Sequence, residues 1–322
     1  MPFTLADLEH PIIQAPMGGG PSTPALAAAV CEAGGLGFLA SGYRTPDAIR
    51  ADIAELRGLT SRPFGLNLFV PGPARGDASE LARYGDAIRT DAARFGVEPG
   101  DPRHDDDGWR GKVMLAREER VPVVAFTFGF PGAGLVRLLR ETGSAVWITV
   151  TTPDEARVAA DGGADALIVQ GIEAGGHRGG YDPEADGGIG LLALLQLVRS
   201  ATDLPLVATG GIADGRGVAA VLAAGAAAAQ LGTAFMLAPE AATSPAHREA
   251  LRAEAAAPTR ITRAFTGRYA RGIENRFMRE HEHEAPLGYP EEFPVGLPPA
   301  LAKIRRPWRT LVHDDRWGAP RG

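Results

Sequence analysis

The chain has 322 residues, 45% of them hydrophobic and 22% charged, with a formal net charge of −6. That balance supports a large buried core and provides no positive field to draw in a phosphate backbone, which excludes nucleic acid as the expected partner. Cys31 is the sole cysteine, so no disulfide framework is available, and MPFTLADLEHPIIQAP at the start has neither the basic nor the apolar region of an export signal; the cytoplasm is the expected compartment.

In chain order, Ile12–Ala15 predicts a strand and Thr23–Ala33 a helix, Gly37–Ala40 and Pro46–Leu56 repeat the pair, and Phe64–Phe69 opens a third. The crossover that follows is long and polar from Arg75 to Asp107, with a helix expected at Ser79–Phe95 and an acidic run at Asp105–Asp107. After a helix at Asp107–Glu119, strands at Val123–Phe126, Ala145–Val150, Ala166–Val169, Leu206–Thr209 and Ala228–Leu231 alternate with helices at Gly132–Glu141, Pro153–Asp161, Leu191–Ala201 and Asp214–Ala223. Thr152 ahead of Pro153, with Glu155 in the first turn, is a helix-start signature. Length alone admits two ordinary domains, but eight strands joined by helices exceed the usual open doubly wound sheet. The expected fold is therefore α/β, a (β/α)8 TIM barrel.

After Pro239 the rhythm stops, giving way to an Ala- and Glu-rich helical stretch, an Arg-rich segment and a Pro-rich end. The expected organisation is a barrel over residues 1–238 with a rim excursion at about 73–110, a small C-terminal helical appendage acting as a cap over 239–300, and a tail over 301–322. Six arginines from Arg260 to Arg279 face one acid, Glu274, and read as a solvated or subunit-contact face, allowing a homodimer. The uncharged run from Gly217 to Pro239 is long enough to cross a membrane, but it is mostly alanine, holds Gln230 and is cut by Gly225 and Gly232, so no membrane span is expected.

In such a barrel, functional groups gather where the strands end, and a phosphate commonly docks at the loops after the last two. The seventh strand runs into Gly210-Gly211-Ile212, with a helix near Asp214 to add its positive end, and the eighth into Gln230-Leu231-Gly232-Thr233. The first runs into Pro16-Met17-Gly18-Gly19-Gly20, the third ends at Asn67 and the sixth at Gln170. Buried carboxamides need partners, which a heterocycle's edge or neighbouring backbone would both supply. Beyond Gln170, the glycines at 171, 175, 176, 179 and 180 surround one imidazole, His177, the side chain suited to proton transfer near neutral pH. His10, His104, His247 and His313 read as surface residues. His281 and His283 lack metal-ligand spacing, so no metal site is expected. Rossmann, P-loop and nucleophile-elbow motifs are absent.

Taken together, Pro16-Met17-Gly18, Ala33-Gly34-Gly35-Leu36-Gly37, Asn67-Leu68-Phe69, the segment from Gln170 to His177, Gly210-Gly211-Ile212, Gln230-Leu231-Gly232-Thr233 and Phe265-Thr266-Gly267-Arg268 resemble the nitronate monooxygenases, formerly called 2-nitropropane dioxygenases. The resemblance implies a barrel with tightly bound FMN. Asn67, Gln170 and Gly175 would contact the flavin, Gly211 and Gln230, Leu231, Gly232 and Thr233 would hold its phosphate, and Met17, Gly18, Gly176 and Gly210 would complete the cofactor site. His177 would stand beside the isoalloxazine as the active-site histidine. The implied reaction oxidises an alkyl nitronate with O2 to a carbonyl compound and nitrite, without NAD(P)H; on nitroalkanes His177 would take the α-proton. The expected partners are thus a small-molecule substrate and O2.

One departure stands out. Bacterial members carry a second histidine after the fourth strand in a Ser-Phe-His-Phe-Gly context, where this chain reads Ala125-Phe126-Thr127-Phe128-Gly129, and Thr127 can be neither base nor cation. Two rival readings follow: an NAD(P)H-dependent flavin enoyl-thioester reductase, similar in the phosphate loops and the Gly-Gly-His segment, and a flavin-binding protein with altered catalysis.

Overall fold

Eight short strands form the framework: β1 (Ile12–Gln14), β2 (Phe38–Ala40), β3 (Gly65–Phe69), β4 (Val123–Thr127), β5 (Ala145–Val150), β6 (Ala166–Gln170), β7 (Leu206–Thr209) and β8 (Ala228–Leu231). All neighbouring pairs are parallel, in the order β1-β8-β7-β6-β5-β4-β3-β2. The seam between the two ends closes through an isolated parallel bridge from Ile13 to Leu36. There the Gln14 N–H donates to Leu36 O at 3.0 Å and the Leu36 N–H to Ile12 O at 3.1 Å. The fully buried Gln14 extends the seam, its Oε1 accepting the Phe38 N–H at 2.9 Å in place of a backbone carbonyl. The expected barrel is the fold found.

This computed structural model describes residues 2–73, 76–94, 96, 103–185, 188–253, 258–288 and 291–292. The expected tail at 301–322, the end of the expected cap at 293–300, and His313 lie outside them. The chain divides into two units, one comprising Met1–Pro71 and Asp107–Thr243, the other Gly72–Asp106 and Ser244–Gly322.

In the first unit the connecting helices are α1 (Pro24–Glu32), α2 (Pro46–Leu59), α4 (Trp109–Glu118), α5 (Ala133–Arg140), α6 (Pro153–Asp161), α7 (Leu191–Arg199) and α8 (Gly215–Ala223); α3 (Ala78–Arg94) belongs to the second unit. Three helices start by one device: Thr23, Thr45 and Thr152 each accept the backbone N–H three residues on, and a proline follows at the first helical position. Two apolar layers result from strand alternation. One set of residues, including Leu66, Val124, Ile148, Leu167 and Ala229, packs with the helices. The opposite set, Ile13, Phe38, Val123, Ala125, Ala145, Trp147, Ala166, Ile168, Val207 and Ala228, fills the barrel with Phe3, Leu5 and Leu8 packed against it. Trp147 lies 6.1 Å from the Phe3 ring and 5.9 Å from that of Phe38. Gly65 makes room for that packing, since a Cβ there would stand 2.3 Å from the Phe38 ring. The uncharged Gly217–Pro239 run is divided among α8, β8 and a 3-10 turn at Thr233–Leu237. Among the described residues no helix is long and apolar enough to cross a membrane.

The second unit packs Tyr84 and Ile88 of α3 against Ala264, Phe277 and Ala285, with the Phe265 and Phe277 rings stacked at 5.2 Å. Besides α9 (Pro245–Arg252) and α10 (Arg276–His281) it holds an antiparallel pair, β9 (Thr259–Thr262) with β10 (Ala270–Ile273), in a region read from sequence as helix and arginine face. The arginines obscured the period-2 pattern, and the long connection has no two-residue hairpin signal. Nor are those arginines one solvated face. Arg260 pairs with Glu274 and Glu282, Arg276 with Asp91 and Glu280, Arg263 lies over the Tyr269 ring, and Arg268 is buried.

Asp91 is the buried hub of this unit, with Arg276 Nη2 and His281 Nε2 each 2.7 Å from its carboxylate. Burial pushes its carboxyl pKa up, but hydrogen bonds from Arg276 and His281, and their charges, outweigh burial and hold it below the usual range. A depressed folded-state pKa contributes stability that is complete above the unfolded value of about 3.9 and is lost as pH falls through the folded value. Asp91→Asn should therefore flatten the acid limb of stability below about pH 4. Denaturant titrations at several pH values check this, and an unchanged acid limb would remove Asp91 from the account.

Candidate active site

The alternation that fills the barrel with Val123, Ala125, Trp147, Ile168, Val207 and Ala228 carries on to the strand ends. There it turns Asn67, Thr127, Thr149, Gln170, Thr209 and Gln230 towards the same axis. Six consecutive strands thus each contribute one polar side chain above an apolar interior. Gln170, Thr209 and Gln230 stand in register across β6, β7 and β8. Thr149 and Thr209 were not singled out from the sequence. Their signal is positional, two residues beyond an inward apolar residue, and the sequence carries it once strand limits are known.

The ring is tied together by hydroxyls. Thr127 Oγ1 donates to Asn67 Oδ1 at 2.9 Å and lies 3.3 Å from Thr149 Oγ1, while the Thr209 hydroxyl donates to Gln230 O at 2.9 Å. Thr127 thereby engages the Asn67 carbonyl. Gln230 differs: its Nε2 is buried and has no hydrogen-bond partner among the described residues. A buried amide donor left without an acceptor costs about 1–3 kcal/mol, which a bound acceptor would remove.

The glycine-rich loop leaves β6 over this ring. His177 is half-buried, and its ring meets Phe128 edge to face at 5.9 Å. Phe128 also packs on Phe69 at 4.6 Å, and Phe69 on Tyr43 at 6.0 Å, so aromatic rings continue from the imidazole to the loop after β2. Phe128 adopts φ 77, a strained conformation for a bulky residue, held by its N–H bond to Gly179 O at 3.1 Å.

The two expected phosphate loops adjoin the same ring. Gly210 and Gly211 have φ of 115 and 69, which glycine adopts without strain, and a Cβ on Gly210 would stand 3.0 Å from the Ala174 nitrogen. A Cβ on Gly175 would come within 3.0 Å of Thr233 Oγ1, and one on Gly232 within 3.9 Å of the Met17 side chain, so Met17, Gly175, Gly232 and Thr233 converge. Gly18 faces the Tyr43 ring at 4.0 Å by the same measure, and Gly176, φ 78, precedes the imidazole. Leu231 stands apart: its side chain packs in the helix layer, and only its backbone, bonded to the Ala15 N–H at 2.8 Å, borders the loop.

One expected contribution is absent. The start of α8 is already capped by Asp214, which accepts the N–H groups of Arg216 at 2.9 Å and Gly217 at 3.1 Å. The hydrogen bonds from Arg216 and Gly217 hold its carboxyl below the usual range, so an anion already occupies that helix end. The turn at Thr233–Leu237 has no such cap; Gly232 precedes it without a side chain. In the second unit Asp91, Glu280 and His281 are the one metal-like grouping among the described residues, and the Arg276 guanidinium bonds both carboxylates.

A match to the nitronate monooxygenase family spans residues 3–309. The chain belongs to the nitronate monooxygenase family. A nitronate monooxygenase from Pseudomonas aeruginosa is 46% identical over 287 residues, covering 85% of this chain and 79% of that protein. The solved structure of nitroalkane oxidase from Streptomyces ansochromogenes superposes with a TM-score of 0.86 at 50% identity, covering 89% of this chain and 83% of that one. FabK from Thermotoga maritima is more distant, with a TM-score of 0.68 and 35% identity over 87% of this chain and 76% of its own. This nitronate monooxygenase family member is thus an enzyme of the oxidoreductase class, and its polar ring occupies the barrel end where such chemistry is built.

Proposed function

We propose that the protein binds FMN at the polar ring and oxidises alkyl nitronates with O2 to a carbonyl compound and nitrite. The observation that carries this reading is the pairing of a half-buried imidazole, His177, with an unsatisfied buried amide donor, Gln230 Nε2, at one barrel end. The residues suit the group. Gly210-Gly211 and the uncapped turn after Gly232 offer backbone N–H groups to a phosphate, Gln230 offers a donor that lacks an acceptor, and Asn67 and Gly175 border the space for the ring system.

Bound FMN supplies the electron acceptor that neither imidazole nor hydroxyl can provide. The chain's residues bind, orient and move a proton. His177 accepts the α-proton when a neutral nitroalkane enters, and a nitronate, already deprotonated, bypasses that step. Phe128, backed by Phe69, covers one side of the imidazole and limits water there. The test is anaerobic mixing of the FMN-loaded protein with ethylnitronate: bleaching of the visible flavin band and, in air, nitrite formation are expected. A flavin left oxidised by every nitronate tried would sink the reading.

Thr127 has its own role in this site. By donating to Asn67 Oδ1 it turns the carboxamide so that the amino group is the part left to face a ligand. Thr127→Val, which keeps the shape and removes the hydroxyl, should weaken FMN binding roughly three- to tenfold, the value of about one neutral hydrogen bond. Thr127→Ser should restore it. Fluorescence titration of the apoprotein with FMN measures both, and equal affinities in all three proteins would contradict the role.

A further inference from the structure

The resemblance assigns Gln170 to the flavin, yet its carboxamide is engaged elsewhere. Nε2 donates to His177 O at 3.1 Å, and Oε1 accepts the Gly179 N–H at 2.8 Å and an Arg178 Nη1 bond at 3.4 Å. One side-chain amide thus bonds a carbonyl and an N–H two residues apart, as a neighbouring strand would. On the other side Phe128 donates to Gly179 O at 3.1 Å, so residues 177–179 lie between the Gln170 side chain and the end of β4. Side chains alternate along an extended segment. Arg178, 6% exposed, is anchored by its Nη1 bond to Gly171 O at 2.8 Å, and His177 is left to project the opposite way, against the Phe128 ring.

We propose that Gln170 is a positioning residue for His177: its carboxamide sets the rotation of the 177–179 segment and so the direction of the imidazole. This rests on the reading of His177 as the proton acceptor for nitroalkanes. Two substitutions separate the roles. Gln170→Glu keeps an acceptor for the Gly179 N–H and loses the donor to His177 O, whereas Gln170→Met loses both at similar volume.

Three measurements decide it, all on the full chain. FMN affinity, read by fluorescence, fixes the concentration that saturates each variant and separates a weaker hold on the cofactor from a change in proton transfer. The ratio of nitroethane to ethylnitronate turnover at saturating FMN should fall at least about tenfold in Gln170→Met and by a smaller factor in Gln170→Glu, because only the nitroalkane needs the imidazole. The His177 ring resonances, assigned by their loss in His177→Asn, should move in both variants. A Gln170→Met protein with an unchanged turnover ratio at saturating FMN and an unmoved His177 signal would overturn the proposal, whatever its FMN affinity. Should no nitronate reduce the flavin in wild type, the monooxygenase reading fails, and the His177 resonance alone still tests the clamp.

Discussion

The His177→Ala variant is expected to lose about 10²–10⁴-fold in turnover of neutral nitroalkanes, the range that a positioned general base contributes, while oxidation of pre-formed nitronates falls far less. The asymmetry follows from the substrates. A nitroalkane must give up its α-proton before electrons can leave the carbon, and a nitronate has already done so. FMN retention should not change, because the Gln170 clamp holds the loop through the backbone of residue 177, which alanine also has. Nitrite release from nitroethane and ethylnitronate, assayed in parallel at fixed pH, gives the two losses directly. Equal losses on both would assign His177 to binding or to the oxidation itself, and the proton-transfer role would be abandoned.

The largest expected effect on stability lies at Lys112. This lysine is 1% exposed although it sits in α4, a segment read from sequence only as a helix over Asp107–Glu119. Its Nζ donates to Ser41 O at 2.9 Å and lies 2.5 Å from Asp107 Oδ2, and Asp107 Oδ1 accepts the Tyr43 N–H at 2.8 Å. Tyr43 and Asp107 both take left-handed backbone, φ 63 and 57, so the pair holds two strained residues beside the barrel mouth. Removing one partner of a buried ion pair costs about 3–5 kcal/mol, and Asp107, whose side chain keeps 18% exposure, puts the loss of Lys112 towards the lower end of that range. For a chain of 322 residues that corresponds to roughly 4–7 °C in Tm. Lys112→Met should show that loss. Adding Asp107→Asn should recover much of it, since asparagine tolerates left-handed backbone and still accepts from Tyr43 without a charge. Calorimetry on the single and double variants measures the coupling, and a Lys112→Met protein melting within about 2 °C of wild type would show that the pair has no such weight.

The site was legible to different depths. Gly210, Gly211, Gln230 and His177 could be proposed because glycine-rich turns after late strands and a lone imidazole among glycines are local patterns. Thr149 and Thr209 passed unnoticed because threonine is an ordinary strand residue, and only a shared barrel axis makes every second position an inward one. The end of α8 was misjudged for a comparable reason. A helix start predicts a positive end, but Asp214 folds back on its own N–H groups and neutralises it. The β9–β10 pairing, likewise, depends on two segments joined by a seven-residue connection from Arg263 to Tyr269, a distance at which arginines and threonines give no local signal.

From sequence alone came the eight strands and the helices that join them, with limits close to those observed, and with them the place of the His177 loop after the sixth strand. Buried parallel strands are short apolar runs, and three of the helices between them begin with threonine and proline, so both periods and punctuation are written locally. Tertiary structure alone decided where the polar groups went: Gln14 into the barrel seam, Lys112 under the loop after β2, Gln170 onto the backbone around His177, and Gln230 to no partner in the described chain. A carboxamide or ammonium can bond almost any polar neighbour, and which one lies within 3 Å is settled only when distant strands close into one ring.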